Sequence, residues 1–536
     1  MAPSLDKLRF AFAALLTVVA ASCLVAQEVT VVTTNPEVSV ANGAVSLPVH
    51  HMREGQLANG PFLQKPLRIV HPGGGPVSSP SDPVVQSSTG VSAASVTSGL
   101  NFEGLGNGFP GFSVNSAPPD TNGAVGATQV VEWVNESFEV FDKATGAAVK
   151  GPIPGNQLFQ ALGANHPCAV NNDGDPIAQY DKANGRWILT QFSVTNGGTQ
   201  GFFQCVAVSQ TSDATGAFNV YAFQQPNFND YPKLGVWTTG YFATFNIFTR
   251  SFQGPRICAL DGAAMRAGAV ATQQCFQLAN TFGTVLPGDI DGTIAPPVGT
   301  DPYFSAFGTN VLNVWRFHVD FANPANTTLT GPITTSVAAF SEACGGGSCI
   351  PQPNTRQLLD SLGDRLMYRL AYRHFADGHQ ALVVNHSVSV SSGKRNQQAG
   401  VRWYELRPDA TTGGLSVFQE GTFAPDNVSR WMGSAAQDKV GNIVVGYSAS
   451  NSSLFPSIRL ALRTPTDPTG TLGNETSIFA GTGSQLKNLN RWGDYTALSV
   501  DPADDCTFWY FNEYIATSGI FNWHTRIASF KLSNCL

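Results

Sequence analysis

The feature that most constrains the fold is a hairpin pattern that recurs about every sixty residues. Its clearest copies are RWMGSAAQDKVGNIVVGYS, from Arg430, and RWGDYTALSVDPADDCTFWYFNEY, from Arg491. Each copy begins with Arg-Trp, runs through small and apolar residues to an aspartate, and reaches a tyrosine nine positions later. A repeat of this length predicts a series of similar structural units rather than one irregular sheet.

Weaker copies share a charged first residue, a short alternating run, a turn with glycine and a second alternating run. These copies begin at Asp120, Asp175, Asp230 and Asp364. Alternation with period two on both sides of a turn indicates a β-hairpin. In the last of these copies, Leu366, Tyr368, Leu370 and Tyr372 share one face at period two, which predicts a strand rather than a helix.

Turns that open with aspartate and close with glycine separate the hairpins, as in DKATG at Asp142 and DATG at Asp213. Two hairpins joined in this way make a four-stranded unit. The interval between Asp230 and Asp364 leaves room for one further unit, which includes residues 303–320. The sequence therefore predicts an all-β fold, a β-propeller of seven four-stranded blades over residues 101–536. Six blades with a large insertion are the alternative.

The N-terminus carries Lys7 and Arg9, then an apolar run and small residues, which predicts a signal peptide over residues 1–26. Cys23 leaves a lipoprotein as an alternative. Residues 27–100 are rich in Pro, Gly, Ser and Val, which predicts a flexible segment. No other run is long and apolar enough to span a bilayer. We therefore expect a protein that is secreted, periplasmic or on the cell surface.

Eight cysteines remain after residue 26, and an exported protein is expected to pair them. Pairing near neighbours gives Cys168–Cys205, Cys258–Cys275, Cys344–Cys349 and Cys506–Cys535. None lies in a CxxC spacing, which argues against thiolate metal sites.

Only 12% of the residues are charged, and the formal net charge of the chain is −7. A charge-poor, mildly acidic surface does not favour nucleic acid or anionic lipid as a partner. We expect a monomer that meets a glycan or another extracellular ligand.

In a propeller, each blade begins with its innermost strand, so the first residues of the units should line one mouth of the central channel. The acidic ones are Asp120, Asp175 and Asp230, and the basic ones are Arg365, Arg430 and Arg491. Blade 1 meets blade 7, so Asp120 should lie near Arg491. Arginine suits carboxylate, sulfate or vicinal hydroxyl groups. These residues either bind a ligand or pair with one another across the ring.

Three arginines from successive units resemble the arginine triad of the sialidase-like propellers, which holds a carboxylate. SVDPADDCTFW is similar to a degenerate form of their Asp-box turn. The resemblance implies an acidic-sugar hydrolase with a tyrosine nucleophile, for which Asp494, Tyr495 and Glu513 are the candidates. PPDTNG (118–123) and RWGDY also resemble phrases of uncharacterised exported bacterial propeller proteins, a likeness that implies no activity.

Hard oxygen ligands cluster in turns at NNDGDP and GDIDGT, which predicts calcium at Asp173, Asp175, Asp289 and Asp291. Without metal, such turns are ordinary acidic turns. No other cofactor is indicated.

Three functions follow from these patterns. The first is an exported propeller that binds or acts on extracellular glycans at the channel mouth. The second is a sialidase-like glycoside hydrolase. The third is a non-catalytic adhesion or structural protein. The sequence leaves enzymatic activity open, because no spacing links a nucleophile to its acid.

Overall fold

A computed structural model describes residues 35–55, 62–71, 81–391 and 397–536. The predicted signal peptide, residues 1–26, lies outside these ranges. Seven four-stranded antiparallel units follow one another along the chain and form the blades of a β-propeller. The seven-blade prediction is confirmed, and residues 303–320 lie in the fourth blade, where the sequence left a gap.

The blades are numbered in chain order, and in blades 1–6 the innermost strand comes first. The strands of blade 1 are Asn122–Val125, Gln129–Val134, Ser137–Asp142 and Ala148–Pro154. Those of blade 2 are Ile177–Asp181, Arg186–Ser193, Phe202–Ser209 and Phe218–Gln225. Those of blade 3 are Phe228–Trp237, Gly240–Phe248, Phe252–Leu260 and Ala271–Gln277. The strands of blade 4 are Leu286–Asp291, Tyr303–Gly308, Val311–His318 and Thr328–Ser336. Those of blade 5 are Leu366–His374, Gln380–Ser389, Ala399–Pro408 and Leu415–Phe423. Those of blade 6 are Ser429–Gln437, Ile443–Ser450, Ser457–Arg463 and Gly473–Phe479.

Blade 7 closes the ring with a strand from the other end of the chain. Its first three strands are Ala497–Val500, Phe508–Ile515 and Trp523–Leu532, and its outermost strand is Val96–Glu103. The register pairs Arg526 with Glu103 and Leu532 with Val96. The two ends of the propeller are therefore joined by backbone hydrogen bonds, which removes the free edge that an open ring would have.

The segment before this strand was predicted to be flexible, but its described residues form short strands against the propeller. Glu37–Ala41 adds to blade 3, Ala44–Val45 to blade 2 and Val85–Gln86 to blade 5. Leu63–Gln64 pairs with Ser116–Ala117. Composition misled the prediction because backbone groups on the blade edges can pair with a strand that buries little apolar surface.

Helical structure in the described residues is limited to single turns and one longer 3₁₀ segment. The α-helical turns are Pro167–Val170, Gly197–Gln200 and Gly262–Ala267, the 3₁₀ segments are Val49–His51, Gly155–Leu162, Pro324–Asn326 and Ala343–Gly346, and two further short strands are Ser348–Ile350 and Leu359–Asp360. Across the described ranges, no helix has the length and apolar character needed to cross a bilayer.

Apolar side chains fill the spaces between adjacent blades. Trp133, Trp187, Trp315 and Trp403 are buried there, each exposing 1% or less of its surface. All four predicted disulfides are present, and Cys506–Cys535 links the start of the second strand of blade 7 to the C-terminus. Aromatic packing between blades therefore forms the core of the ring.

The aspartate of each clear repeat closes a hairpin turn at the far end of the innermost strand. Asp438 accepts hydrogen bonds from the backbone N–H groups of Val440 and Asn442. Asp501 accepts one from the Ala503 N–H and another from the Trp509 indole. The two similar sequences are thus the innermost hairpins of adjacent blades, and their aspartates are structural.

Candidate functional site

A cavity of about 180 Å³ lies at the mouth of the channel where the innermost strands begin. Eight charged side chains line it: Lys65, Arg68, Asp173, Asp175, Asp230, Arg365, Arg491 and Asp494. Phe192, Phe228 and Tyr231 supply aromatic surface beside them. Four of the six residues predicted for this mouth line the cavity, and Asp120 lies close enough to Asp175, Asp494 and Arg491 for their charges to act on its pKa.

The acidic side of the site comes from blades 1–3. Asp175 forms an ion pair with Lys65 at 3.4 Å and accepts the Tyr231 N–H at 3.2 Å. Asp230 lies 3.8 Å from Nε of Arg68. Asp120 is fully buried, and neither of its carboxyl oxygens has a hydrogen-bond partner among the residues that the structure describes. Asp120 does not line the cavity itself.

Burial and like charge favour the protonated form of two of these carboxyls. Burial raises the pKa of Asp230 to about 7, with Asp175 adding to the shift, while Arg68 and Arg365 oppose it. Burial also raises the pKa of Asp120 well above its usual range, and Asp494 and Asp175 add to this increase. Repulsion between neighbouring carboxylates makes it unfavourable to ionise all of them at once, so this group of carboxyls retains a proton near neutral pH.

The basic side comes from blades 5 and 7. Nε of Arg365 lies 2.9 Å from Asp364, its guanidinium is 4.5 Å from the Tyr231 ring centre, and its Nη2 donates to the Arg68 carbonyl at 2.6 Å. Arg491 pairs with Asp494 and lies 3.1 Å from Asp360. The two arginines thus face the acidic side, as the order of the blades predicts.

Arg430 does not join this group, so the predicted convergence of three arginines is wrong. Its guanidinium binds Asp426 at 2.8 Å and Glu475 at 2.7 Å. Glu475 lies on the outermost strand of blade 6 and also accepts the Tyr447 hydroxyl at 2.9 Å. The Arg430 side chain therefore runs outward along its own blade, where a carboxylate pair neutralises it, instead of into the channel.

The three candidate catalytic residues are close in sequence but occupy different surroundings. Asp494 lines the cavity beside Arg491. Tyr495 is buried behind it, and its hydroxyl donates to the Pro176 carbonyl at 2.9 Å. Glu513 is buried, does not line the cavity, and has a pKa that burial raises well above its usual range. Their catalytic roles stay predictions, of which Asp494 has the placement that a reacting group needs.

Three basic residues of this region were not predicted from sequence. Lys65 and Arg68 come from the segment that composition marked as flexible. Nζ of Lys233 lies 3.4 Å from the Tyr231 ring centre and 3.9 Å from that of Tyr495, and burial lowers its pKa to about 7. A lone lysine in DYPKLGVW carries no pattern, so only the folded chain reveals its position.

Non-glycine residues with positive φ recur beside this mouth. Asp120, Asp175, Tyr231 and Asp494 have φ between 49° and 62°, in the left-handed region. Each such residue costs about 1–3 kcal/mol, and such costs are typically found where side chains are held for a function. The backbone here holds three site carboxyls in positions that a regular strand would not give them.

The residues predicted for calcium are engaged by other groups. Asp173 accepts the N–H groups of Val194 and Thr195, and Asp289 and Asp291 both bind Arg369. No set of three or more His, Cys, Asp or Glu side chains within the described ranges is placed to hold a metal ion. Because calcium at Asp289 and Asp291 would have to replace a guanidinium, the observed donor set does not fit it, and calcium at Asp173 and Asp175 stays a prediction.

Comparison with known proteins gives structural likeness only. No protein-family model matches the chain, and no significant relative is found among curated proteins. The N-terminal domain of Nup159 is similar over 84% of this chain and 99% of its own, with 8% identity and a TM-score of 0.37. An endo-1,5-α-L-arabinanase from Thermotoga petrophila is similar over 77% of this chain and 97% of its own, with 10% identity and a TM-score of 0.27. A GH43 β-1,3-galactosidase is similar over 81% of this chain and 94% of its own, with 9% identity and a TM-score of 0.28. At these values we transfer no residue role.

Proposed function

We propose that this protein binds an extracellular glycan in the cavity at the channel mouth and hydrolyses a glycosidic bond there. The observation that carries the proposal is the combination of Asp230, whose raised pKa leaves much of it protonated near pH 7, with Asp175 and Asp494, which are paired with cations in the same cavity. A proton-donating carboxyl beside an ionised one is the pair that glycoside hydrolysis requires.

The lining also suits a saccharide. Sugar hydroxyls both donate and accept hydrogen bonds, and the carboxylates and the guanidiniums of Arg365 and Arg491 supply both complements. Phe192 and Phe228 give apolar faces against which a sugar ring can pack. Four disulfides support action in an oxidising, extracytoplasmic compartment.

In this proposal Asp230 is the general acid that protonates the leaving oxygen, and Asp175 or Asp494 is the base or nucleophile. Arg365 and Arg491 orient the substrate. Of the three arginines predicted for the sialidase-like alternative, only Arg365 and Arg491 line this cavity. These two and the third arginine of the lining, Arg68, already lie beside Asp364, Asp494 and Asp230, respectively. Neutral glycosides are therefore proposed as substrates ahead of sialosides.

The test is a panel of chromogenic glycosides, sialosides included, with a glycan array in parallel. The hydrolase is supported if the native protein cleaves a glycoside and the Asp230→Asn variant does not, although the variant still binds the glycan array. Binding without turnover in the native protein supports the binding or adhesion function and removes the hydrolytic role. If no glycan is bound or hydrolysed, either by the native protein or by a variant in which Lys65 and Arg68 are replaced, the glycan proposal is wrong.

A further inference from the structure

Residues 62–71 cross the mouth of the channel and cover the site just described. We call these residues the strap. Leu63, Lys65, Pro66 and Arg68 form one wall of the cavity, and the blades form the others. The strap therefore stands between the site carboxyls and solvent.

The strap's polar groups contact the residues to which a ligand would bind. Nζ of Lys65 lies 3.4 Å from Asp175 and donates to the Asp173 carbonyl at 2.6 Å. Nε of Arg68 lies 3.8 Å from Asp230, and the Arg68 carbonyl accepts from Arg365. Asp230, Asp175 and Arg365 are thus each contacted by a residue of the strap.

We infer that residues 62–68 are a displaceable internal inhibitor of the channel-mouth site, held by Lys65 and Arg68 and hinged at Val70 and His71. This inference rests on the proposed function for the identity of the ligand, but not for the strap's release. A ligand that reaches Asp175 and Asp230 must take the places of the ammonium and guanidinium groups.

The strap is held mainly by polar contacts, and Leu67 is its one apolar side chain before Val70 that packs against the core in the described structure. Its first half is held to the propeller by the short parallel pairing of Leu63–Gln64 with Ser116–Ala117, which the N–H groups of Leu63 and Lys65 extend by donating to the Asn115 and Ala117 carbonyls. Gln64 also donates to the Asn490 side chain at 2.8 Å. The side chains of Phe62 and Leu63 are 70% and 53% exposed, so they contribute little burial. Segments with few buried apolar contacts open at low free energy.

The hinge is better anchored. Val70 is buried, its N–H donates to Asp364 at 2.5 Å, and His71 lies 2.7 Å from Glu342. Opening can therefore move residues 62–68 away from the carboxyls while residues 70 and 71 stay in place.

The test uses the full exported chain with Lys65→Ala/Arg68→Ala, against the matched control Arg53→Ala/Arg250→Ala, which removes two exposed cations elsewhere. Hydrogen exchange of residues 62–68 should rise at least about tenfold in the strap variant only, while Ala399–Pro408 and Val70 keep their protection. Unchanged exchange in the strap variant would overturn the inference. If the alanine variant unfolds, Lys65→Gln/Arg68→Gln replaces it.

A second measurement adds the synthetic peptide FLQKPLR, which is residues 62–68, to each protein. It should bind the strap variant at least about tenfold more tightly than the native protein, whose own strap competes, and a peptide with both basic residues changed to glutamate should not bind. Equal binding of the two peptides, or none of FLQKPLR, contradicts the inference.

Saccharide binding separates the two proposals. If the strap variant gains at least about tenfold in glycan affinity over the control, both stand. If exchange and peptide binding behave as expected but no glycan binds any variant, the strap stands and the glycan proposal fails. If a glycan binds the native protein and the strap variant equally, the strap is a fixed wall and the inference fails.

Discussion

Arg369 of blade 5 forms ion pairs with Asp289 of blade 4, its Nε lying 2.6 Å from Oδ2 of that carboxylate. The same guanidinium lies 3.0 Å from Asp291 and donates to the Leu498 carbonyl of blade 7 at 3.0 Å. All three charged side chains are at least 97% buried. One side chain thus joins three blades below the mouth of the channel.

Arg369→Ala should therefore lower the free energy of unfolding by about 3–5 kcal/mol, because it leaves the buried Asp289 without its cation and Asp291 with Lys182 alone. Denaturant unfolding measures the change. The triple variant Arg369→Met/Asp289→Asn/Asp291→Asn should recover part of this loss, since it removes the guanidinium and both carboxylates together and leaves only Lys182, whose side chain is 15% exposed, without its partner. A single variant as stable as the native protein would contradict the role of this cluster.

The closing strand predicts a sharp difference between two truncations. A chain that begins at Ser81 keeps Val96–Glu103 and should fold cooperatively, whereas one that begins at Gly104 loses the outermost strand of blade 7. At about 1 kcal/mol for each lost backbone hydrogen bond, the shorter chain should lose about 3–6 kcal/mol. Its exposed edge should also promote aggregation. Calorimetry and light scattering test this, and equal melting temperatures would contradict closure by this strand.

Glu132 predicts a pH-dependent stability. Burial raises its pKa from 4.5 to about 8, although the Leu105 N–H donates to it at 2.6 Å. Because the folded state holds the proton more tightly, this contribution is complete below about pH 4.5 and is lost as the pH rises towards 8. Glu132→Gln should lessen the loss, worth about 1.4 kcal/mol per pKa unit.

Urea unfolding of native and Glu132→Gln protein between pH 5 and pH 9 measures this effect, with the exposed Glu54→Gln as the control. Parallel stability curves for native and Glu132→Gln protein would show that this carboxyl is not the cause.

Asp230 predicts the alkaline limit of activity. With a pKa of about 7, it loses its proton as the pH rises, so kcat/KM on a responsive glycoside should fall above about pH 7. Asp230→Asn should lower kcat by about 10²- to 10⁴-fold. Lys65→Ala serves as a comparison because it changes the partner of Asp175 and leaves Asp230 in place. An unchanged pH profile in Asp230→Asn would assign the acid elsewhere.

Much of the fold could be predicted from the sequence because its signals are local. The alternation in Leu366–His374 and the aspartate turns at Asp438 and Asp501 depend on neighbours a few residues away. The four disulfides followed from sequence proximity, which hairpin packing preserves. The closing strand Val96–Glu103 could not be found in this way, because its partner is more than 400 positions away.

The site could be predicted only in part. The order of the blades placed Asp120, Asp175, Asp230, Arg365 and Arg491 at one mouth. The exclusion of Arg430 depended on Glu475, a carboxylate two strands farther out on the same blade. Asp494 lies in the cavity with its backbone in the left-handed conformation, which the sequence pattern does not predict.

The sequence by itself therefore determined the repeating hairpins and the ring order of the charges and favoured seven blades over six, because each follows from short-range periodicity and chain order. Only the tertiary structure decided which charges neutralise each other, where Lys233 lies, and that Lys65 and Arg68 return to the mouth. Ion pairing and burial depend on atoms that come within a few ångströms after folding, and separation along the chain does not encode that distance.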